Sequence, residues 1–434
     1  INTIQEVIYK VDVLVNRVYQ IIVKRDDRLD RIMFDSARIY NQALYFLRQN
    51  YFGAIKNGTA FKTISYTQLY HLVKVCDCYK VATEVHIKQA AIRQAFDMWK
   101  AFIAASKSFK TDPSRFTGRP KPPKYIKTAY FKAEADKQFL NKRNLSAYQF
   151  RLPKTDYTVS LPPNIKRDDV RCVRIVPFFD KIKIEICYLK DTTALKLDFN
   201  SAISADIGVN NLMSITSNNQ CFSSMIVNGR PIKSINQFFN KIRTKIVSCL
   251  EICNSCKTSK RLQRLSRKRD LKIKDYMHKA SRFIVNQCVA NNIGTIVIGH
   301  NDGWKQDVNI GAKNNQNFVN IPFNTLINMI KYKAEDVGIK VIITEESYTS
   351  KTDHLICEAM KHVDNRPNKR IRRGLFKSDY NRRLINADIN GAIGVLRKAK
   401  VVTDRDIVSL RDRGDLSSPR LSLIHISEPT RLAL

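Results

Sequence analysis

Apolar residues follow different periods in different parts of the chain. Residues 5–20 alternate loosely in polarity and predict a strand, whereas residues 25–51 and 81–105 carry apolar side chains at helical spacing. Two later runs, 170–175 and 181–186, alternate with a period of two on either side of a Pro-Phe-Phe-Asp turn. The pattern therefore predicts a group of helices between strands, with the last two strands forming a hairpin.

From residue 198 onward the order becomes strand, helix pair, strand, helix and strand, which favours an α/β domain. A long helix is expected from Ile232, because apolar residues then recur at intervals of three and four. The same stripe continues at Cys249, Cys253 and Cys256. We therefore expect these three cysteines on the buried face of that helix, as small apolar residues.

Acidic residues stand at the ends of three predicted elements in the last half of the chain. Asp206 ends a short apolar run, Glu345 and Glu346 follow the apolar run 339–344, and Asp388 opens a predicted helix. Carboxylates placed in this way can converge on one point and hold two divalent cations, which clamp a phosphodiester during in-line displacement. Mg²⁺ suits such a site because it prefers oxygen ligands. The alternative for each acid is a solvated loop residue.

The amino-acid composition is strongly basic. The chain has 75 Lys and Arg against 39 Asp and Glu, a formal charge of +36. Such a surplus favours nucleic acid as a partner, since counterion release supplies much of the affinity. Positive charge is concentrated in two segments. For each segment the two interpretations are a contact with nucleic acid and an ordinary solvated surface. The expected contacts are Arg115, Arg119, Lys121, Lys124, Lys257, Lys260, Arg261, Arg264, Arg267, Lys268 and Arg269.

The ten cysteines are scattered along the chain. The CxxC pair at 253 and 256 has no second pair at ribbon spacing, so structural zinc is not expected. Unpaired cysteines favour a reducing compartment, and we expect a cytoplasmic protein associated with the nucleoid. No apolar run approaches the ~18–20 residues needed to span a bilayer, so a membrane partner is not expected.

The sequence segments around the acidic residues resemble the motifs of the TnpB family. Members of this family are transposon-encoded RNA-guided DNA endonucleases related to the type V CRISPR effectors. The resemblance is specific from Asp206 onward and looser before it. The segments that carry it are 204–212 (SADIGVNNL), 228–237 (NGRPIKSINQ), 278–281 (HKAS), 348–351 (YTSK) and 386–392 (NADINGA).

This resemblance implies an α/β multidomain protein with an RNase-H-like (RuvC-type) nuclease domain. An N-terminal β-barrel wedge domain would be interrupted by a helical recognition lobe. The implied divisions are the wedge at 1–22 and 125–196, the helical lobe at 23–124, the nuclease at 197–350 and 381–400 with a basic helical hairpin at 232–290, a degenerate zinc-ribbon insertion at 351–380, and a tail at 401–434. The tail is expected to be disordered. Its end resembles a translated sequencing adapter from about Ser417.

By the same resemblance, the protein would cleave guide-matched DNA next to a short flanking motif, with two Mg²⁺ ions. Its partners would be a guide RNA from the transposon end and double-stranded DNA. Asp206 and Asp388 match the first and last nuclease motifs. The insertion keeps only Cys357, and because of this departure structural zinc is not expected there either.

The second nuclease motif departs from the family pattern. The strand that usually ends in the catalytic Glu ends here in Gly299. Glu346 precedes a Thr-Ser-Lys as in the rearranged glutamate of some TnpB and Fanzor proteins, and its spacing to Thr349 favours it over Glu345. Asp302 is the fallback ligand. If no acid has replaced the missing Glu, the protein is a guided DNA-binding repressor that no longer cuts. An unguided junction nuclease is a third possibility, but it leaves the N-terminal lobe without a purpose.

Overall fold

The computed structural model describes residues 12–82, 84–127, 131–140, 145–152, 154–254, 256–301, 320–361, 369–372, 374–422 and 424. The chain divides into two compact units. Residues 14–190 form one, here called the N-terminal unit, and residues 191–434 with 1–13 form the other, the C-terminal unit. None of the described helices is both long and apolar enough to cross a membrane.

Helices with an aromatic core make up half of the N-terminal unit. The first helix begins after Asp26, whose side chain accepts a hydrogen bond from the Arg28 amide and so caps the helix. Trp99 is fully buried and meets the ring of Tyr51 edge-on at 5.7 Å. The helices are α1 (Asp27–Lys56), α2 (Tyr66–Lys74), α3 (Asp77–Val81) and α4 (Val85–Thr111).

An antiparallel sheet in the order β1-β6-β5-β2 forms the other half, with β3 and β4 as a separate pair. The predicted hairpin is confirmed, since β5 and β6 pair along their length. The expected β-barrel is not closed in the described residues, because β1 and β2 are the two free edges of an open sheet. The strands are β1 (Asp12–Val23), β2 (Ala133–Asp136), β3 (Gln149–Arg151), β4 (Thr158–Ser160), β5 (Val170–Phe178) and β6 (Lys181–Thr193).

A six-stranded mixed sheet organises the C-terminal unit, in the order β11-β10-β7-β8-β9-β15. Strands β7 to β9 are antiparallel neighbours, and β10 and β11 run parallel to β7. The strands are β7 (Asp198–Ile207), β8 (Asn211–Ser217), β9 (Met225–Asn228), β10 (Ile293–Gly299), β11 (Lys340–Thr344) and β15 (Arg420–Ser422). A smaller sheet contains β12 (Arg370–Arg372), β13 (Leu375–Lys377) and β14 (Leu384–Asn386).

Each face of the large sheet carries its own core. Ile203 and Ala205 of β7 belong to the core that includes Tyr276 and Leu326. Ala202 belongs to the opposite core, with Ile389 and Ile393. The helices are α5 (Arg230–Asn254), α6 (Lys260–Ala290), α7 (Phe323–Glu335), α8 (Ala387–Lys398) and α9 (Asp404–Leu410).

The expected position of the cysteine stripe is wrong. Cys249, Cys253 and Cys256 are all exposed, and Ile252 beside them is 85% exposed. The period of an apolar stripe shows which face of a helix is apolar, but it does not show whether another element covers that face.

The expected disordered tail is also wrong for residues 401–422. Helix α9 buries Ile407 and Leu410, and β15 pairs in parallel with β9. Arg413 holds the segment in place by donating to backbone carbonyls, among them that of Ser217 at 3.1 Å, while it pairs with Asp415 at 2.6 Å. Residues 425–434, which include most of the adapter-like segment, lie outside the described residues.

Candidate active site

Asp206 lies near the carboxyl end of β7, on the sheet face covered by α8. Successive strand residues point to opposite faces, so Asp206 shares its face with Ser204. The Ser204 hydroxyl donates to the carbonyl of Ala392 in α8 at 2.6 Å. Gly391 in the same helix allows the close approach, since a Cβ at that position would lie 2.8 Å from Oδ2 of Asp206.

Glu346 reaches the same region from the end of β11, which is separated from β7 by β10. Gly299 of β10 pairs with Thr344, and a Cβ on Gly299 would lie 3.1 Å from Oε2 of Glu346. The Glu346 carboxylate therefore occupies space beside Gly299 into which a side chain at position 299 would extend. Glu346 Oε2 is buried and accepts no hydrogen bond from any described residue.

Glu345 points elsewhere, although it adjoins Glu346. Its side chain is exposed and its carboxylate pairs with Lys398 at 3.2 Å. A hydrogen bond from Ser347 and the charge of Lys398 lower the pKa of Glu345. Strand β11 is an edge strand, and the two acids follow it in sequence with opposite environments. Asp302, the fallback ligand, lies outside the described residues.

Asp388 stands in the first turn of α8. The Asn386 side chain caps this helix by accepting hydrogen bonds from the amides of Asp388 and Ile389, at 3.0 and 3.2 Å. The Asp388 carboxylate accepts one hydrogen bond from Asn211 at 2.7 Å and another from Arg370 at 3.1 Å. Its orientation is therefore set by one residue of β8 and one of β12.

The electrostatics show that the three carboxylates share one region. Burial raises the pKa of Asp206 well above its usual range, and the nearby charges of Glu346 and Asp388 raise it further, whereas Arg370 opposes them. Burial also raises the pKa of Glu346 to about 7, with Lys398 acting in the opposite direction. A cation bound beside these acids would lower the free-energy cost of ionising them.

The sequence implies a divalent cation bound by the carboxylates of the three acidic motifs. No three His, Cys, Asp or Glu side chains of the described residues lie close enough together to hold a metal ion. The chemistry of the carboxylates nevertheless fits a hard cation, because Glu346 Oε2 is a buried oxygen with no described donor. Arg370 already places positive charge on Asp388.

The Tyr348–Lys351 motif ties the Glu346 segment to α8. The Thr349 hydroxyl donates to the Glu346 carbonyl at 2.8 Å, and His354 lies 2.8 Å from the Thr349 carbonyl through Nε2. Arg397 of α8 lies 3.0 Å from Nδ1 of His354. Since arginine only donates, Nδ1 accepts and Nε2 carries the proton given to Thr349. This chain of contacts links Glu346 to the helix that carries Asp388.

The predicted nucleic-acid contacts separate into two classes. All eleven retain exposed or partly exposed side chains, among them the four at 115–124 in the N-terminal unit. Arg269 differs, because it donates to Asn236 at 2.8 Å and to the Asn320 carbonyl at 3.0 Å and stacks on Phe239. Its guanidinium joins α6 to α5 through these contacts, and its assignment to nucleic acid stays a prediction.

Sequence reasoning missed three residues of the site. Asn211 lies within the motif around Asp206 but was not recognised as the partner of Asp388. Gly391 lies within the last motif, and its role depends on a contact with β7. Nothing in the sequence distinguishes Arg370 from the other cations of its basic stretch, because its contact with Asp388 depends on how the insertion folds.

Comparison with known protein families finds similarity over the region that holds the three acids. A family model described as "Probable transposase" (OrfB_IS605) matches residues 185–305, and one described as "Cas12f1-like, TNB domain" matches residues 323–395. Together they cover the strands and helices that carry Asp206, Glu346 and Asp388. Over these two segments the chain is similar to the transposase and Cas12f1-like families.

Two relatives extend the comparison. The CRISPR-associated endodeoxyribonuclease Cas12f2 of Micrarchaeota archaeon (strain CG1_02_47_40) is 30% identical over 177 residues, which are 39% of this chain and 32% of that protein. The match thus spans about a third of the relative. The cryo-EM structure of a Cas12f1–sgRNA–target DNA complex is similar in fold, with a TM-score of 0.56 at 15% identity, over 85% of this chain and 82% of the other.

Proposed function

We propose that this protein is an RNA-guided DNA endonuclease of transposon origin, with a Mg²⁺-dependent, RNase-H-like (RuvC-type) catalytic domain. The observation that carries the proposal is the placement of the Glu346 carboxylate beside Gly299, together with its electrostatic coupling to Asp206. The sheet order supports the fold assignment, since three antiparallel strands are followed by two strands parallel to the first. Ligands of α/β sheets bind at the carboxyl ends of such strands.

The roles of the residues follow from their contacts. Asp206, Glu346 and Asp388 would hold two Mg²⁺ ions. When bound, these ions supply Lewis-acid polarisation of the phosphate and a water of lowered pKa. Asn211 keeps the Asp388 carboxylate in one orientation. The Arg370 guanidinium lies at the edge of the site, and its fork of donors suits a phosphate oxygen of the DNA strand.

Guide and target would be held by the basic surface. The formal charge of +36 favours a polyanion, and the exposed cations at 115–124 lie beside Tyr125, which is 41% exposed. Aromatic and cationic side chains in this combination suit unpaired bases and their backbone. Pairing with the guide would supply the sequence specificity, and protein side chains would read a short flanking motif.

The competing proposal is a guided DNA-binding repressor that no longer cuts. Its sequence argument is the glycine at position 299, which cannot bind metal. The structure weakens that argument, because Glu346 fills the space beside Gly299 and finds no described hydrogen-bond donor there. We therefore favour the enzyme.

The experiment is expression together with the transcript from the downstream end of its gene, followed by cleavage of a guide-matched plasmid library in Mg²⁺. We expect co-purified RNA and guide-dependent cuts next to one short motif. Binding should weaken steeply with salt, by a log–log slope of about −0.9 for each duplex phosphate neutralised. A protein that purifies free of RNA and binds no matched target contradicts the proposal. A protein that binds the matched target in Mg²⁺ without cutting favours the repressor.

A further inference from the structure

A largely buried ammonium group joins three carboxylates in the insertion between the second and third acidic motifs. The Nζ atom of Lys369 lies 2.7 Å from Asp379, 3.3 Å from Asp353 and 3.8 Å from Glu358. The Asp353 side chain is completely buried and that of Lys369 is 14% exposed. We call these four residues the Lys369 cluster.

The cluster connects parts of the chain that are distant in sequence. Asp353 accepts hydrogen bonds from the Ser378 hydroxyl at 2.8 Å and from the Asp379 amide at 2.7 Å. Its own amide donates to Glu358 at 2.8 Å. The segment after the Tyr348–Lys351 motif is thereby fastened to the segment after β13. A charge buried in this way stays in place because all its partners are present.

The residue that follows Lys369 is the one that reaches the active site. Arg370 begins β12 and lies 3.1 Å from Asp388. Strand β12 has three residues, all exposed, and its pairing with β13 is irregular at this point. Packing therefore does little to hold Arg370, whereas Lys369, one residue earlier, is held by three carboxylates and by a hydrogen bond from the Lys377 amide to its carbonyl at 2.8 Å.

We propose that Lys369 is a positioning residue of the active site, whose ion cluster around the buried Asp353 fixes the start of β12 and so places Arg370 against Asp388. The ammonium joins separate chain segments as a structural metal ion would, and it needs no thiolate ligands. The role assigned to Arg370 rests on the proposed function. The anchoring role of Lys369 does not, because it concerns the local structure of the insertion alone.

The test compares Lys369→Ala with Lys377→Ala, a neighbouring exposed lysine of β13 that carries the same charge. Hydrogen exchange of the peptide 369–377 and single-turnover cleavage of guided target are measured with and without methylammonium. We expect Lys369→Ala to raise exchange in this peptide and to slow cleavage on the order of 10–100-fold, the range for groups that orient active-site residues. Target affinity should stay within about twofold. Methylammonium, which can enter the vacated space, should restore both properties in part.

Several outcomes would overturn the proposal. One is wild-type exchange and cleavage in Lys369→Ala. Another is equal damage from Lys377→Ala. A third is increased exchange throughout α8 with no rescue by methylammonium, since that would show a general loss of folding. If the wild type itself does not cut, the proposed function fails, while exchange and its rescue still decide the role of Lys369.

Discussion

The raised pKa of Glu346 makes a quantitative prediction about stability. Burial moves this pKa from 4.5 to about 7, so the folded protein holds the proton more tightly than the unfolded chain does. Ionising Glu346 therefore costs the fold about 3 kcal/mol at pH values above 7, at about 1.4 kcal/mol per pH unit. The cost is absent well below pH 4.5, grows as the pH rises from 4.5 to 7, and is then constant.

The perturbation is Glu346→Gln, which keeps the shape of the side chain and removes its charge. Without divalent ions, the wild type should lose about 2–3 kcal/mol of stability between pH 5 and pH 8 that the variant does not lose. The absolute stability of the variant also depends on its unpaired amide, which costs about 1–3 kcal/mol when buried. The difference in pH dependence is free of that term and is therefore the quantity to measure.

The assay is urea unfolding at pH 5 and pH 8 in EDTA, with pulse proteolysis reading peptides of the C-terminal unit. Glu345→Gln is the matched control, because Glu345 is exposed and paired with Lys398, and it should follow the wild type. Adding Mg²⁺ at pH 8 should stabilise the wild type by RT ln(1 + [Mg²⁺]/Kd) and the Glu346→Gln variant much less. Identical pH dependence in wild type and Glu346→Gln would refute the reasoning.

Three further predictions test the site and its surroundings. Asp206→Ala and Asp388→Ala should each abolish guided cleavage while leaving target binding largely intact, as cleavage and filter-binding assays would show; normal cleavage in either variant would remove that residue from the site. Gly391→Ala should impair cleavage and Mg²⁺-dependent stabilisation in thermal melts, because the added Cβ would lie 2.8 Å from Asp206, and unchanged behaviour would mean that Asp206 can move without cost. Cys172 and Cys187 are directly opposed on β5 and β6, so a hydroperoxide should convert them to a disulfide with loss of two hydrogens, and peptide mass mapping that finds both thiols unmodified would contradict this.

Much of the C-terminal unit could be predicted because its strands are short apolar runs with local boundaries. Asp206 and Asp388 are singled out by the motifs that surround them, and the helix at Asp388 is predicted from the apolar residues that follow it. The tail was not predictable in the same way. Strand β15 has three residues, and it forms because β9 offers an edge and Arg413 binds nearby carbonyls, neither of which is encoded in the local pattern.

The insertion was the least predictable part for a related reason. The ion partners of Lys369 lie at positions 353, 358 and 379, and nothing in the spacing of these acids distinguishes them from solvated surface residues. The absence of a second cysteine pair predicts an insertion without structural zinc. In the structure, an ion cluster around the buried Asp353 joins this stretch of chain, so the absence of a cysteine cross-link does not imply a loose segment.

The choice between Glu345 and Glu346 shows what the structure adds to a motif. Spacing to Thr349 favoured Glu346, but two adjacent acids at a strand end remain equivalent until their surroundings are known. One is paired with Lys398 in solvent, where a carboxylate is satisfied and a metal ion would gain little. The other, Glu346, has its Oε2 atom buried beside Gly299 without a described donor. A cation bound beside that oxygen would offset the cost of keeping the carboxylate charged. Gly299 is therefore better explained by the space that the Glu346 side chain needs than by the loss of an active site.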